Sequence, residues 1–111
     1  MSPISPRKAP ITAHCALDKG AHYFGVKLLH APVTDDQQAD VAWIREHIGP
    51  NTVAIAGSAG TYPHGVIDPI DEMGALALEH DIGFHVDGCL GAFILAWGER
   101  AGVDVPPFDF G

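Results

Sequence analysis

A chain of 111 residues holds one small domain and not two. With 47% hydrophobic and 18% charged residues it is globular in composition, and its 13 Gly and 9 Pro mark frequent turns rather than a low-complexity tract. A net charge of −8 argues against nucleic acid, whose phosphates would repel the chain, while a single anionic phosphate group can still be held by backbone amides.

In chain order, residues 1–9 read as an irregular, Pro-rich tail, with Pro3 and Pro6 where a signal peptide would have an apolar stretch. Residues 11–14 are a short strand candidate, and residues 17–24 a helix closed by Gly25. Residues 26–30 alternate like a strand. After a loop, Asp40 opens a helix through Val41, Ile44 and Ile48 that Gly49-Pro50 ends. Residues 52–56 form a continuous apolar run typical of a strand covered on both faces. Asp68-Pro69 predicts a helix start, with the Asp side chain as cap and Pro at the first helical position, so Asp68 reads as structural. Residues 84–87 form the fourth strand, and residues 90–100 a last helix before Pro106-Pro107. Strands alternating with helices predict an α/β fold with a parallel sheet. Lys8, Lys19 and Lys27 read as solvated helix residues.

Cys15 and Cys89 form no Cys-x-x-Cys pair, which suits a reduced, cytoplasmic setting. The most apolar run, residues 90–97, is too short to cross a bilayer, so no membrane-spanning segment is expected.

The stretch Gly83-Phe84-His85-Val86-Asp87-Gly88-Cys89 carries the chemistry. Parallel α/β sheets place their ligands at the carboxyl ends of the strands, where Asp87 falls. A fixed anion there suits pyridoxal 5'-phosphate, whose pyridine nitrogen stays protonated beside a carboxylate. Two other readings stay open: a helix or loop cap, or a metal half-site with His85, which shares its strand face.

Three segments, His14-Cys15-Ala16-Leu17-Asp18-Lys19-Gly20-Ala21, Tyr62-Pro63-His64-Gly65-Val66-Ile67-Asp68-Pro69-Ile70 and His85-Val86-Asp87-Gly88-Cys89-Leu90-Gly91-Ala92-Phe93, occur in this order. Together they resemble the group II pyridoxal-phosphate-dependent decarboxylase superfamily, and within it the sphingosine-1-phosphate lyase family. The resemblance implies the central segment of a fold-type-I transferase large domain across residues 1–111, and a homodimer for the intact parent. It also implies that the second strand lies at the sheet edge beside the first, which then neighbours the third. By the same resemblance His14 stacks on the cofactor ring and Asp87 pairs with its nitrogen. Ser58, Thr61 and His85 become cofactor contacts beside Ala59 and Gly60, and His64 a substrate contact. Taken alone, His14 reads equally as a helix cap or a core histidine.

The family's cofactor-anchoring Lys lies beyond the aspartate, after a His, and its Gly/Ser/Thr-rich phosphate loop precedes the His14 segment. Neither occurs in these 111 residues. The expectation is therefore a partial chain, inactive alone, from a lyase that cleaves a carbon–carbon bond in a phosphorylated long-chain amine. The rivals are an amino-acid decarboxylase, a small metal-binding module of His64, His85 and Asp87, and a non-catalytic interaction fragment.

Overall fold

The computed structural model describes residues 7–108. Strands β1 (Arg7–Pro10), β2 (Leu28–Ala31), β3 (Ala54–Ser58) and β4 (Gly83–Asp87) form one parallel sheet in the order β2-β1-β3-β4. Helices α1 (Ala16–Tyr23), α2 (Val41–His47), α3 (Ile70–Glu79) and α4 (Ala92–Gly98) follow successive strands, and a 3₁₀ turn, Glu99–Ala101, extends α4. The expected parallel sheet is present, and β1 lies between β2 and β3 as the resemblance implied. The only antiparallel contact among the described residues is an isolated bridge, Val33 to Ala39, outside the strands.

Strand register sorts the side chains onto two faces. Lys8, Leu29, Ile55 and Phe84 are neighbours across one row of the sheet, and Arg7, Leu28, Ala54 and Gly83 across the next. Ile55 packs with Ile44 of α2 and with Met73, Leu76 and Ala77 of α3 into the main core. The other face meets α1 through Leu17, leaving a groove of about 310 Å³ beside Leu28, Ala54 and Ala56.

Several local expectations hold. The Asp40 carboxylate accepts the Trp43 N–H at 3.0 Å and caps α2. Gly25, at φ +63°, follows the end of α1 in the left-handed conformation that glycine adopts without strain.

Others need correcting. The first strand is not residues 11–14 but Arg7–Pro10, so the irregular tail expected for residues 1–9 fails over Arg7, Lys8 and Ala9; residues 1–6 lie outside the described part. Apolar alternation misled here, since Ile11 is exposed and Ala13 N–H closes a turn onto the Pro10 carbonyl. β1 pairs with β2 along its whole length and with β3 only at Arg7 and Lys8. Pro10 has no N–H to offer, so a proline is tolerated only where that double pairing has already ended. β2 and β3 lie toward the C-terminal side of the stretches 26–30 and 52–56. The last helix is shorter than residues 90–100, with Gly91 at its N-cap.

Lys8 is the sharpest reversal: far from a solvated helix residue, it is 1% exposed on the central strand. Burial pushes its amine below the usual 10.5, and the Lys27 charge adds to the shift. Lys27 is exposed as expected, although it precedes β2 instead of lying in a helix. Because the unfolded chain binds the Lys8 proton more tightly, this residue's contribution to stability improves as pH rises through the folded value toward 10.5. Lys8→Met is expected to raise stability by about 1 kcal/mol at neutral pH and by less at alkaline pH, as read from urea midpoints.

Candidate active site

The carboxyl ends of β1, β3 and β4 converge on one open cleft of about 480 Å³. His14 and Tyr62 line it from one side, Ser58 and Asp87 from the sheet, and Leu17 and Leu90 supply apolar wall. Ser58 and Asp87 are register partners on adjacent strands, so their side chains share a face, with His85 one pleat behind Asp87.

His14 sits in the turn between β1 and α1. The Ala16 N–H donates to its Nδ1 at 3.0 Å, so the neutral ring carries its proton on Nε2. Cys15, not His14, occupies the N-cap of α1, and the Ala16 N–H bond fixes the imidazole's orientation. Tyr62 meets that imidazole edge-on, with ring centroids 5.6 Å apart and planes at 89°.

Asp87 ends β4. Its Oδ1 accepts the Cys89 N–H at 3.0 Å, and its carbonyl accepts the Ala59 N–H at 2.8 Å. Among the described residues Oδ2 takes no hydrogen bond, which leaves it available to a donor in the cleft. The lining residues include no lysine or arginine, and Asp87 is the one carboxylate among them.

The loop after β3 is held by Asp68. Its Oδ2 accepts the Ser58 N–H and its Oδ1 the Ala39 N–H, both at 2.9 Å, with the residue 1% exposed. The expected capping role is therefore corrected: Pro69, not Asp68, occupies the N-cap of α3, and the carboxylate instead ties β3 to the loop before α2. Asp68 remains structural, as read. Burial raises its pKa above 3.8 against the opposing pull of those two N–H groups.

Of the residues singled out in the sequence, His14, Ser58, His85 and Asp87 come together in the cleft. Thr61 does not. It is fully buried, its Oγ1 accepts the Val66 N–H at 3.2 Å, and its backbone closes the same turn. Its hydroxyl is engaged by the loop, and the residue is absent from the cleft lining. His64 is exposed on that loop and absent from the cleft lining, so it does not join His85 and Asp87. Among the described residues no group of three or more His, Cys, Asp or Glu is placed to hold a metal ion, which removes the geometric basis of the metal-module reading. Tyr62 is the lining residue that the sequence reading passed over, although its place at the head of Tyr62-Pro63-His64-Gly65 pointed to it.

The aminotransferase class-V family model matches residues 11–93, a span that includes His14, Ser58 and Asp87. The chain belongs to that family. It is 52% identical to the sphingosine-1-phosphate lyase of Arabidopsis thaliana over 91% of its own length and 19% of that protein's. The solved sphingosine-1-phosphate lyase of Burkholderia pseudomallei superposes with a TM-score of 0.89 at 45% identity, covering 95% of this chain and 25% of that one. A probable L-tyrosine/L-aspartate decarboxylase of Methanothermobacter thermautotrophicus is 39% identical over 91% of this chain and 28% of its own. The chain thus spans about a fifth of the length of the lyases it matches in sequence. These matches bear out the fold-type-I class that its motifs implied. No helix among the described residues is long and apolar enough to cross a membrane.

Proposed function

We propose that this chain forms part of a pyridoxal-phosphate-dependent lyase that cleaves a carbon–carbon bond in a phosphorylated long-chain amine, yielding an aldehyde and phosphoethanolamine. The observation that carries the reading is the meeting of His14 and Asp87 in one cleft at the strand ends, with room for a flat aromatic ring. The donor set fits the cofactor: a carboxylate for the ring nitrogen, an imidazole for the ring face and apolar wall around them. When bound, pyridoxal phosphate supplies an electron sink for the pair of electrons left by bond cleavage.

Asp87 does its part through Oδ2, holding a proton at the pyridine nitrogen while Cys89 N–H keeps the carboxylate oriented. His14, pinned through Nδ1, presents Nε2 as the nitrogen left to exchange a proton with a ligand. Ser58, 3% exposed, offers a hydroxyl beside Asp87, and His85 borders the ring site from the same strand. Tyr62 walls the opposite side and holds His14 edge-on. The rival reading, an amino-acid decarboxylase, has less support from the relatives: 39% identity to the Methanothermobacter decarboxylase against 52% to the Arabidopsis lyase. The small-molecule substrate, a homodimeric parent and a cytoplasmic setting belong to the same proposal; the exposed, unpaired Cys15 and Cys89 suit a reducing compartment.

Spectroscopic titration of the purified chain with pyridoxal phosphate tests this. Weak binding is expected, without a stoichiometric adduct after borohydride, because no lysine lines the cleft. Asp87→Asn should weaken binding about tenfold, the scale of one charge-assisted hydrogen bond. Equal affinity in the two proteins, or no binding at all, would sink the cofactor reading.

A further inference from the structure

Helix α1 sits on the sheet with little to hold it. Ala21 is its buried residue, Leu17 is half-buried, and the groove of about 310 Å³ runs beside Leu17 and the sheet. A short helix over unfilled space gains little from packing, so its orientation depends on whatever polar contacts reach it. One such contact exists among the described residues: Asp18 Oδ1 and His30 Nε2 lie 2.7 Å apart, linking the first turn of α1 to edge strand β2. No other side-chain hydrogen bond joins α1 to the sheet among the described residues.

His14 sits in the turn immediately before α1. The imidazole accepts the Ala16 N–H, and the Leu17 N–H donates to the His14 carbonyl at 3.0 Å, so any tilt of the helix start moves the ring. We infer that Asp18 and His30 are positioning residues for the candidate active site: their pair is a strut that fixes α1 and thereby the angle at which His14 overhangs the cleft and meets Tyr62. Neither residue lines the cleft, and their effect passes entirely through the helix. The inference rests on the proposed role of His14, but its geometric content stands apart from the cofactor.

The test reads geometry first and binding second, on the full chain. Nuclear Overhauser contacts between the His14 and Tyr62 rings report the edge-on arrangement without any ligand. Asp18→Ala is expected to weaken those contacts and to lower pyridoxal phosphate affinity about threefold, in keeping with the loss of one partly exposed hydrogen bond. Asp18→Asn, which keeps an oxygen acceptor for His30, should restore most of both. Glu79→Gln, which breaks the somewhat more exposed Arg45 pair between α2 and α3, should leave both unchanged. If Asp18→Ala fails to fold, His30→Ala is read in its place, since it leaves α1 intact. Unchanged ring contacts in the strut variants would overturn the inference, and so would an equal loss in Glu79→Gln, which would point to general loosening. Should the wild type not bind pyridoxal phosphate, the cofactor reading falls while the ring contacts still decide the strut.

Discussion

Asp68→Ala is expected to destabilise the chain by about 2 to 4 kcal/mol, since it leaves two backbone donors, Ser58 N–H and Ala39 N–H, buried without a partner, each costing about 1 to 3 kcal/mol. Part of that loss is offset because an ionised carboxylate no longer has to be buried. The sign of the pH dependence follows from the direction of the Asp68 shift. Its folded pKa lies above 3.8, so its contribution is fully present below that value and is lost as pH rises through the folded one. The gap between wild type and Asp68→Ala should therefore widen on acidification. Denaturant midpoints measured across the acid range check both claims, and a gap that narrows as pH falls would contradict the account.

Gly91→Ala should be comparably severe, by about 2 to 3 kcal/mol, for a steric reason. A Cβ on Gly91 would meet the Ala59 carbonyl oxygen well inside van der Waals contact, with the carbonyl carbon and the Gly60 nitrogen close behind. All three are backbone atoms of the loop after β3, so no side chain can swing aside. Either that loop or the start of α4 must move, and both border the cleft. Loss of thermal stability together with shifted Ser58 and Gly60 amide resonances is the expected result; an unperturbed spectrum would show that the loop has slack. Gly20, where an added Cβ would meet nothing within 4 Å, serves as the matched control.

Much of this molecule was legible from residue order. The motif around Asp87 gave both its strand and its position at the cleft, because a short apolar run ending in one acid and small residues has few alternatives. Helix α2 was readable from Asp40 because a cap acts over three residues. What escaped depends on partners distant in sequence. β1 carries two cations and a proline and so has no strand pattern of its own; it becomes a strand only because β2 and β3 arrive on either side. Likewise Thr61 and Ser58 are similar hydroxyl residues three positions apart, yet one is consumed by a turn and the other faces the cleft, a difference set by the loop's path. Asp68 has the local signature of a cap but serves a donor 29 residues earlier.

The placement of β1 at the middle of the sheet also bears on how fast the chain can fold. None of the strand pairs is a hairpin: each waits for a helical crossover to close, and Arg7 meets Ala54 only after nearly half the chain has been gathered in. Loop-closure entropy must be overcome before those contacts return anything, which puts this topology among the slower small domains. Until β3 docks, β1 exposes a hydrogen-bonding edge. That interval is when the chain is most open to pairing with the wrong strand, its own or a neighbour's.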